Sequence, residues 1–201
     1  MSDPHVISEI TISKITQERR IESDFDSLTC TFEAKLEAFN PIKNAFALNS
    51  YFTPGNGVKG VLKALAHDFP HLHQAANEGK PEGSLTDFMG LYVLIHDDRP
   101  FYVGISRKVV KRLNQHLRVA NHFAASLAYK IARINEGDNS DSENRKPQRK
   151  ELEAEKIKAA QVFLLAQRAA ILPFNNHDEL YLFEVFVSMK YKTCLNSFET
   201  H

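Results

Sequence analysis

A chain of 201 residues with 43% hydrophobic composition can bury a full core, which points to one domain or one domain with a sizeable extension. Its 25 basic and 25 acidic residues cancel, so global electrostatics does not advertise a nucleic-acid partner. No apolar run reaches membrane length and MSDPHVISEI lacks the order of a secretory signal, so a soluble cytoplasmic protein without a membrane partner is the expectation. Cys30 and Cys194 fit no metal-ligand spacing and read as packed or free thiols, which gives no sign of redox chemistry.

In chain order, Phe25, Leu28, Phe32, Leu36 and Phe39 share one helical stripe, with Ser23 or Asp24 as the cap and Pro41 closing the segment. The stripe is core packing. Phe25, Phe32, Phe39 and Phe46 recur every seven residues, but Pro41 breaks the run and no coiled coil is expected. Val58, Val61, Leu62, Leu65 and Phe69 mark a further short helix ended by Pro70. His67, His71 and His73 gather at that end, match no zinc-binding helix, and are read as surface histidines. Asn77 to Ser84, with Gly79, Pro81 and Gly83, is a linker, so residues 1–85 are expected to form a helical N-terminal extension and 86–201 the functional domain.

That domain opens on GLYVLIHDDRPFYVGISRKVVKRLNQH, Gly90 to His116. Leu91, Val93 and Ile95 alternate with Tyr92, Leu94 and His96 as in a strand, Asp97 to Pro100 supplies turn residues, and Phe101 to Ile105 is a second strand. After Ser106 the period becomes helical through Val109 or Val110, Leu113 and Leu117. Arg112 and His116, four residues apart, then lie one above the other, off the leucine stripe and able to face a site beside the hairpin. From Arg107 to Asn135 the charges are all basic, including Arg107, Lys108, Lys111, Arg112 and Arg118. A one-signed stretch of this kind suits a phosphate-facing surface better than an ordinary solvated helix.

His122 to Arg133 continues helically through Phe123, Leu127 and Ile131, and Gly137 to Lys150 has no large apolar residue and reads as a mobile loop. Helical pattern resumes from Glu151 to about Gln167, AAILPF at Ala169 to Phe174 reads as a third strand, and a last helix starts near Asp178. Within that helix Glu184 falls inside an apolar stripe. A carboxylate there needs an arginine or a divalent cation as partner, and the residues alone leave both open. Asn196, beyond the helix, is most simply a turn residue capping its own backbone. The expected fold is α/β (α+β), a small three-stranded mixed sheet flanked by helices.

Together these residues resemble the GIY-YIG nucleases. The two tripeptides stand as Gly90-Leu91-Tyr92 and Tyr102-Val103-Gly104, with the tyrosines ten residues apart. By the same resemblance the family arginine falls at Arg112, the histidine one turn later at His116, the metal-binding glutamate at Glu184, and the asparagine twelve residues beyond it at Asn196. The long stretch between His116 and Glu184 departs from the family pattern. The resemblance implies Tyr92, Tyr102, Arg112, His116, Glu184 and Asn196 as catalytic residues, with Tyr92 or Tyr102 activating water. It also implies a divalent-metal-dependent endonuclease acting on DNA, with a stand-alone restriction-type enzyme as the nearest analogy. An RNA-directed nuclease and a catalytically inactive nucleic-acid-binding protein on the same fold are the alternatives.

The chemistry suits these residue types. A single carboxylate, Glu184, suits Mg²⁺ (or Mn²⁺), which takes one or two protein ligands and keeps its waters. Arg112 would clamp a nonbridging phosphate oxygen, while Arg107, Lys108, Lys111 and Arg118 would bind the nucleic-acid backbone. An unperturbed tyrosine is ionised at pH 7 only at a cost of ~4 kcal/mol, so Tyr92 acts as base only with nearby cationic charge or with His116 taking its proton. Limited proteolysis is expected to nick first between Gly137 and Lys150, as read by mass spectrometry of the early fragments. First cuts between Leu180 and Met189 would contradict the placement of the last helix.

Overall fold

The structure, a computed structural model, describes residues 24–81, 83–119, 125–136 and 154–196. Ser23, His122, Phe123 and the polar segment 137–150 lie outside the described residues. Asp24 caps the first helix, its carboxylate accepting from the Ser27 amide at 2.9 Å. The single stripe helix expected there is two, α1 (Phe25–Thr29) and α2 (Phe32–Phe39). The hydroxyls of Thr29 and Thr31 bond back to the carbonyls of Phe25 and Leu28, and these local bonds compete with the helix where it breaks. Phe25 is therefore left 61% exposed, while Phe32, Leu36 and Phe39 are buried.

Next come β1 (Phe46–Ala47), α3 (Leu48–Tyr51) and α4 (Val58–Asp68). Pro70 does not return the chain to loop but begins a further helix, α5 (Pro70–Asn77). Proline is well placed at a first helical position, where its fixed φ fits and its missing N–H would have had no partner. The predicted hairpin follows as β2 (Gly90–His96) and β3 (Arg99–Ser106), then α6 (Val109–Arg118), α7 (Ser126–Asn135), α8 (Ala154–Leu165), β4 (Arg168–Pro173) and α9 (His177–Tyr191). Asn176 rather than Asp178 caps α9, accepting from the amides of Asp178 and Glu179.

The sheet corrects the sequence expectation. Among the described residues it has four strands in the order β1-β4-β2-β3, and every pairing is antiparallel, so it is neither three-stranded nor mixed. A two-residue β1 is too short to leave a period, and alternation reveals which residues share a face but not which way a strand runs. The hairpin turns tightly because Asp97 and Asp98 both take left-handed conformations, φ 45° and 59°. This is the backbone of a two-residue turn that matches strand twist.

Helices cover both faces. Leu91, Val93 and Ile95 join Val103 and Ala170 in a cluster with Phe32, Leu36 and Phe39 of α2 and Leu180, Phe183 and Val187 of α9. Tyr92 and Leu94 point the other way, into a cluster with Val109, Val110, Leu113 and Leu117 of α6 and residues of α4, α7 and α8. Helices from before and after residue 85 thus contribute to both clusters. Phe183 is fully buried and meets Phe32 edge-on at 5.0 Å and Phe174 at 5.4 Å. Phe183→Ala is expected to cost ~4 kcal/mol and to lower the unfolding temperature by about 10 °C, read by circular dichroism. A fall of only a degree or two would mean that this layer does not hold the N-terminal helices.

Candidate active site

The site is built where β2, β3 and α6 meet. Along the hairpin Ile95 faces Pro100, yet Leu94 faces Tyr102, so Phe101 is an extra residue in β3. This bulge shifts the register by one and sets Gly104, rather than Val103, opposite Tyr92. The consequence is steric: a Cβ at Gly104 would lie 2.4 Å from Cζ and 2.5 Å from the hydroxyl of Tyr92. Gly90 is confined in the same way by the sheet backbone, where a Cβ would meet the Leu172 carbonyl oxygen at 2.5 Å. The glycines of both tripeptides therefore have a packing reason.

Tyr92 and His116 are each only 1% exposed, and the Tyr92 hydroxyl lies 2.8 Å from His116 Nε2. Burial, helped by the neighbouring Arg112 charge, pushes the His116 imidazole down to about 3, so it is neutral at pH 7 and able to accept from the phenol. Its Nδ1 is buried with no hydrogen-bond partner among the described residues. Tyr102 completes a ring cluster, 6.0 Å from Tyr92 and 6.3 Å from His116 between centroids. Burial raises the Tyr92 hydroxyl well above its ordinary value, and the Tyr102 charge adds to this while Arg112 opposes it. The half-buried Tyr102 is also raised by burial, with Glu184 pushing up and Arg112 pulling down.

Arg112 and His116 sit a turn apart on α6, as their spacing predicts. The Arg112 guanidinium donates to the Ser126 hydroxyl at 2.8 Å, at the start of α7. The head of α6 has no cap from Lys108, the residue that precedes it. Instead the Asp87 carboxylate accepts from the amides of Val110 at 3.1 Å and Lys111 at 2.8 Å.

Glu184 comes from the opposite layer on α9, a helix that also packs on the edge strand β3. Its charge is felt at Tyr102. Burial raises the Glu184 carboxyl to about 7, and it has no hydrogen-bond or ion-pair partner among the described residues. Of the two partners the sequence leaves open, an arginine is not found beside Glu184 among the described residues. Asn196 is not a turn residue serving its own backbone. Its amide brackets Val103, accepting from the N–H at 2.8 Å and donating to the carbonyl at 2.7 Å, while Thr193 donates to the same Asn196 oxygen at 2.9 Å. It therefore holds the exposed edge of the strand that bears Tyr102.

The basic residues divide. Arg107, Lys108 and Lys111 are exposed around the head of α6, whereas Arg118 donates to the backbone carbonyls of Asn56 and Thr53 and so holds a neighbouring loop. Asp87, Ser126 and Thr193 are the supporting residues that sequence reasoning missed. Each acts through a contact distant in sequence or lacks any motif spacing, so only the folded geometry exposes it.

Residues 88–161 match the family model of the GIY-YIG catalytic domain. The match spans Tyr92, Tyr102, Arg112 and His116 and supports membership of the GIY-YIG nuclease superfamily. No curated protein matches the chain, and no solved structure matches it. The domain is one of nucleases, enzymes that act on nucleic acid. No helix among the described residues is long and apolar enough to cross a membrane.

Gly104→Ala tests the packing of the site. With a methyl forced against the Tyr92 ring, the variant is expected to lose ~1–3 kcal/mol of stability and to lose nuclease activity out of proportion to that loss. Wild-type cleavage by a folded Gly104→Ala protein would mean that the Tyr92 position tolerates displacement.

Proposed function

We propose that the protein is a Mg²⁺-dependent (or Mn²⁺-dependent) endonuclease that hydrolyses DNA phosphodiester bonds and is of restriction type. The observation that supports it best is the convergence of the buried Tyr92–His116 pair, Arg112 and the unpartnered Glu184 carboxylate around Tyr102. The restriction-type reading rests on the N-terminal helices sharing the core instead of forming a separate DNA-reading unit among the described residues.

Glu184 fits a hard divalent cation because it is a half-buried carboxylate without a protein partner. Among the described residues no group of three His, Cys, Asp or Glu side chains surrounds it, as suits an ion held by one carboxylate, water and substrate phosphate. When bound, such an ion supplies positive charge to the phosphoryl and leaving oxygens. Arg112 contributes a fixed donor to a nonbridging oxygen, where charge grows in the transition state.

In the hydrolysis a water oxygen bonds to phosphorus as the bond to the leaving oxygen breaks. Because burial holds the Tyr92 hydroxyl well above its ordinary range, Tyr92 does not work as a standing phenolate. Its hydroxyl takes the water proton while passing its own to His116 Nε2. The incoming phosphate charge offsets the Arg112 cation, which is one of the two causes of the low His116 value, and so raises the proton affinity of the imidazole when it is needed. Tyr102 orients the attacking water and the phosphate, and Asn196 fixes Tyr102 through Val103. Arg107, Lys108 and Lys111 bind the backbone away from the scissile bond at the head of α6, and Arg118 adds a further backbone contact from the opposite end of that helix.

Incubating the purified protein with plasmid DNA and with RNA, with and without Mg²⁺, tests the reading. Mg²⁺-dependent scission of DNA is expected. Cleavage of RNA alone would move the substrate to RNA, and retention of both nucleic acids uncut would favour the binding module.

Glu184→Gln should abolish metal-dependent cleavage while preserving the fold, and full activity in that variant would end the metal assignment. The raised carboxyl gives a second readout. A carboxyl with a folded value of about 7 against an ordinary 4.5 adds stability below the ordinary value and loses it as pH rises through 7. Wild type should therefore melt a few degrees lower relative to Glu184→Gln at pH 8 than at pH 5, and Mg²⁺ at pH 8 should recover part of that difference in wild type only. Equal pH profiles for the two proteins would contradict a strained carboxylate at this position.

A further inference from the structure

We infer that Asp87 is a positioning residue for phosphodiester cleavage, tying the strand that bears Tyr92 to the helix that bears Arg112 and His116; the inference rests on the nuclease reading above. Three hydrogen bonds make the tie, and a fourth, from the adjacent Phe88 amide, orients the carboxylate. Asp87 Oδ1 accepts from the amides of Phe88 at 2.9 Å and Val110 at 3.1 Å, Oδ2 accepts from the amide of Lys111 at 2.8 Å, and the Phe88 carbonyl accepts from the Val109 amide at 3.1 Å. Residues 87 and 88 thereby hold the whole first turn of α6, and the same two residues lead directly into β2, where Tyr92 lies five residues beyond Asp87.

The geometry favours a tie over an ordinary cap. A local cap comes from the residue before the helix, and here that residue is Lys108, which makes no side-chain cap bond. Asp87 reaches in from twenty-odd positions upstream. It therefore fixes where the helix sits against the strand as well as satisfying its first amides. Arg112 follows Lys111 immediately, and His116 is one turn further, at 2.8 Å from the Tyr92 hydroxyl. A helix displaced by even ~1 Å breaks that bond and misaims the guanidinium, an error that typically costs about a hundredfold in rate.

A carboxylate is the side chain this place requires. Two oxygens serve three N–H donors, and its charge matches both the helix N-terminus and the nearby Lys108. An asparagine keeps one acceptor oxygen but would turn an NH₂ group toward an N–H.

The test uses full-length protein in two assays. Single-turnover cleavage at saturating DNA is expected to fall about tenfold or more in Asp87→Ala and Asp87→Asn, with DNA affinity changing less than about threefold. The second assay needs no substrate: nitrogen NMR titration of the His116 ring, whose burial is expected to hold its wild-type midpoint far below the ordinary histidine range. In the variants its midpoint rises toward the ordinary histidine range as the ring gains water.

Asp87→Ala/Lys108→Ser supplies a hydroxyl cap to the helix without the tie to the strand, with Lys108→Ser alone as its reference. It should recover the melting temperature but neither the rate nor the His116 midpoint. Recovery of all three would reduce Asp87 to a simple cap and overturn the inference, as would an Asp87→Asn protein with wild-type rate and titration. If wild type cleaves nothing, the nuclease reading fails, and an unmoved His116 midpoint would sink the positioning role separately. Should Asp87→Ala not fold, the same readouts on Asp87→Asn decide.

Discussion

The hydrogen bond between the Tyr92 hydroxyl and His116 Nε2 is the contact around which this structure is arranged. Both groups are buried away from water, and burial shifts each of them toward its neutral form. A neutral pair in such surroundings is stable only if its polar atoms meet one another with good geometry, since a lost partner leaves a desolvated donor or acceptor. The bulge at Phe101, the bare Gly104 opposite Tyr92 and the anchored head of α6 all bring the phenol and the imidazole to that separation. The same burial that makes the pair demanding also shields it from bulk water, as the proposed proton transfer from Tyr92 to His116 requires.

The site has two halves with different supports. Tyr92, Tyr102, Arg112 and His116 belong to the hairpin and the helix that follows it, all inside the residues matched to the family. Glu184 and Asn196 lie beyond them, and both are brought in by the way α9 and its C-terminal turn lie along the edge strand β3. An edge strand presents unpaired backbone groups, and Asn196 occupies one such pair while the Leu195 amide bonds to the Phe101 carbonyl. Closing the edge and assembling the second half of the site are thus one structural event.

Much of this was legible in the sequence because it rests on period and local chemistry. The alternation of Leu91 to His96, the switch to helical spacing after Ser106, and the stacking of Arg112 over His116 follow from strand and helix geometry, and the structure has them. The break between α1 and α2 was hidden because Thr29 and Thr31 sit within an unbroken apolar stripe. The start of α5 was hidden because Pro70 can end one helix or begin another, and strand direction leaves no periodic trace. Glu184 was recognisable as a carboxylate in the wrong place, but its lack of an arginine partner depends on tertiary contacts. Asp87, Ser126 and Thr193 act at a distance or through a single hydroxyl, and no spacing rule announces such residues.

The central claim is that Arg112 acts on the phosphate undergoing reaction, whereas its basic neighbours only hold the nucleic acid. Comparing Arg112→Ala with Lys108→Ala in single-turnover cleavage and in salt-dependent DNA binding tests it most directly. The account predicts that Arg112→Ala slows cleavage by about a hundredfold at saturating DNA while altering the salt slope of binding by only about one unit. Lys108→Ala should weaken binding and leave the saturated rate nearly unchanged. Identical behaviour of the two variants in both assays would make Arg112 one more residue of a basic patch and would contradict the account.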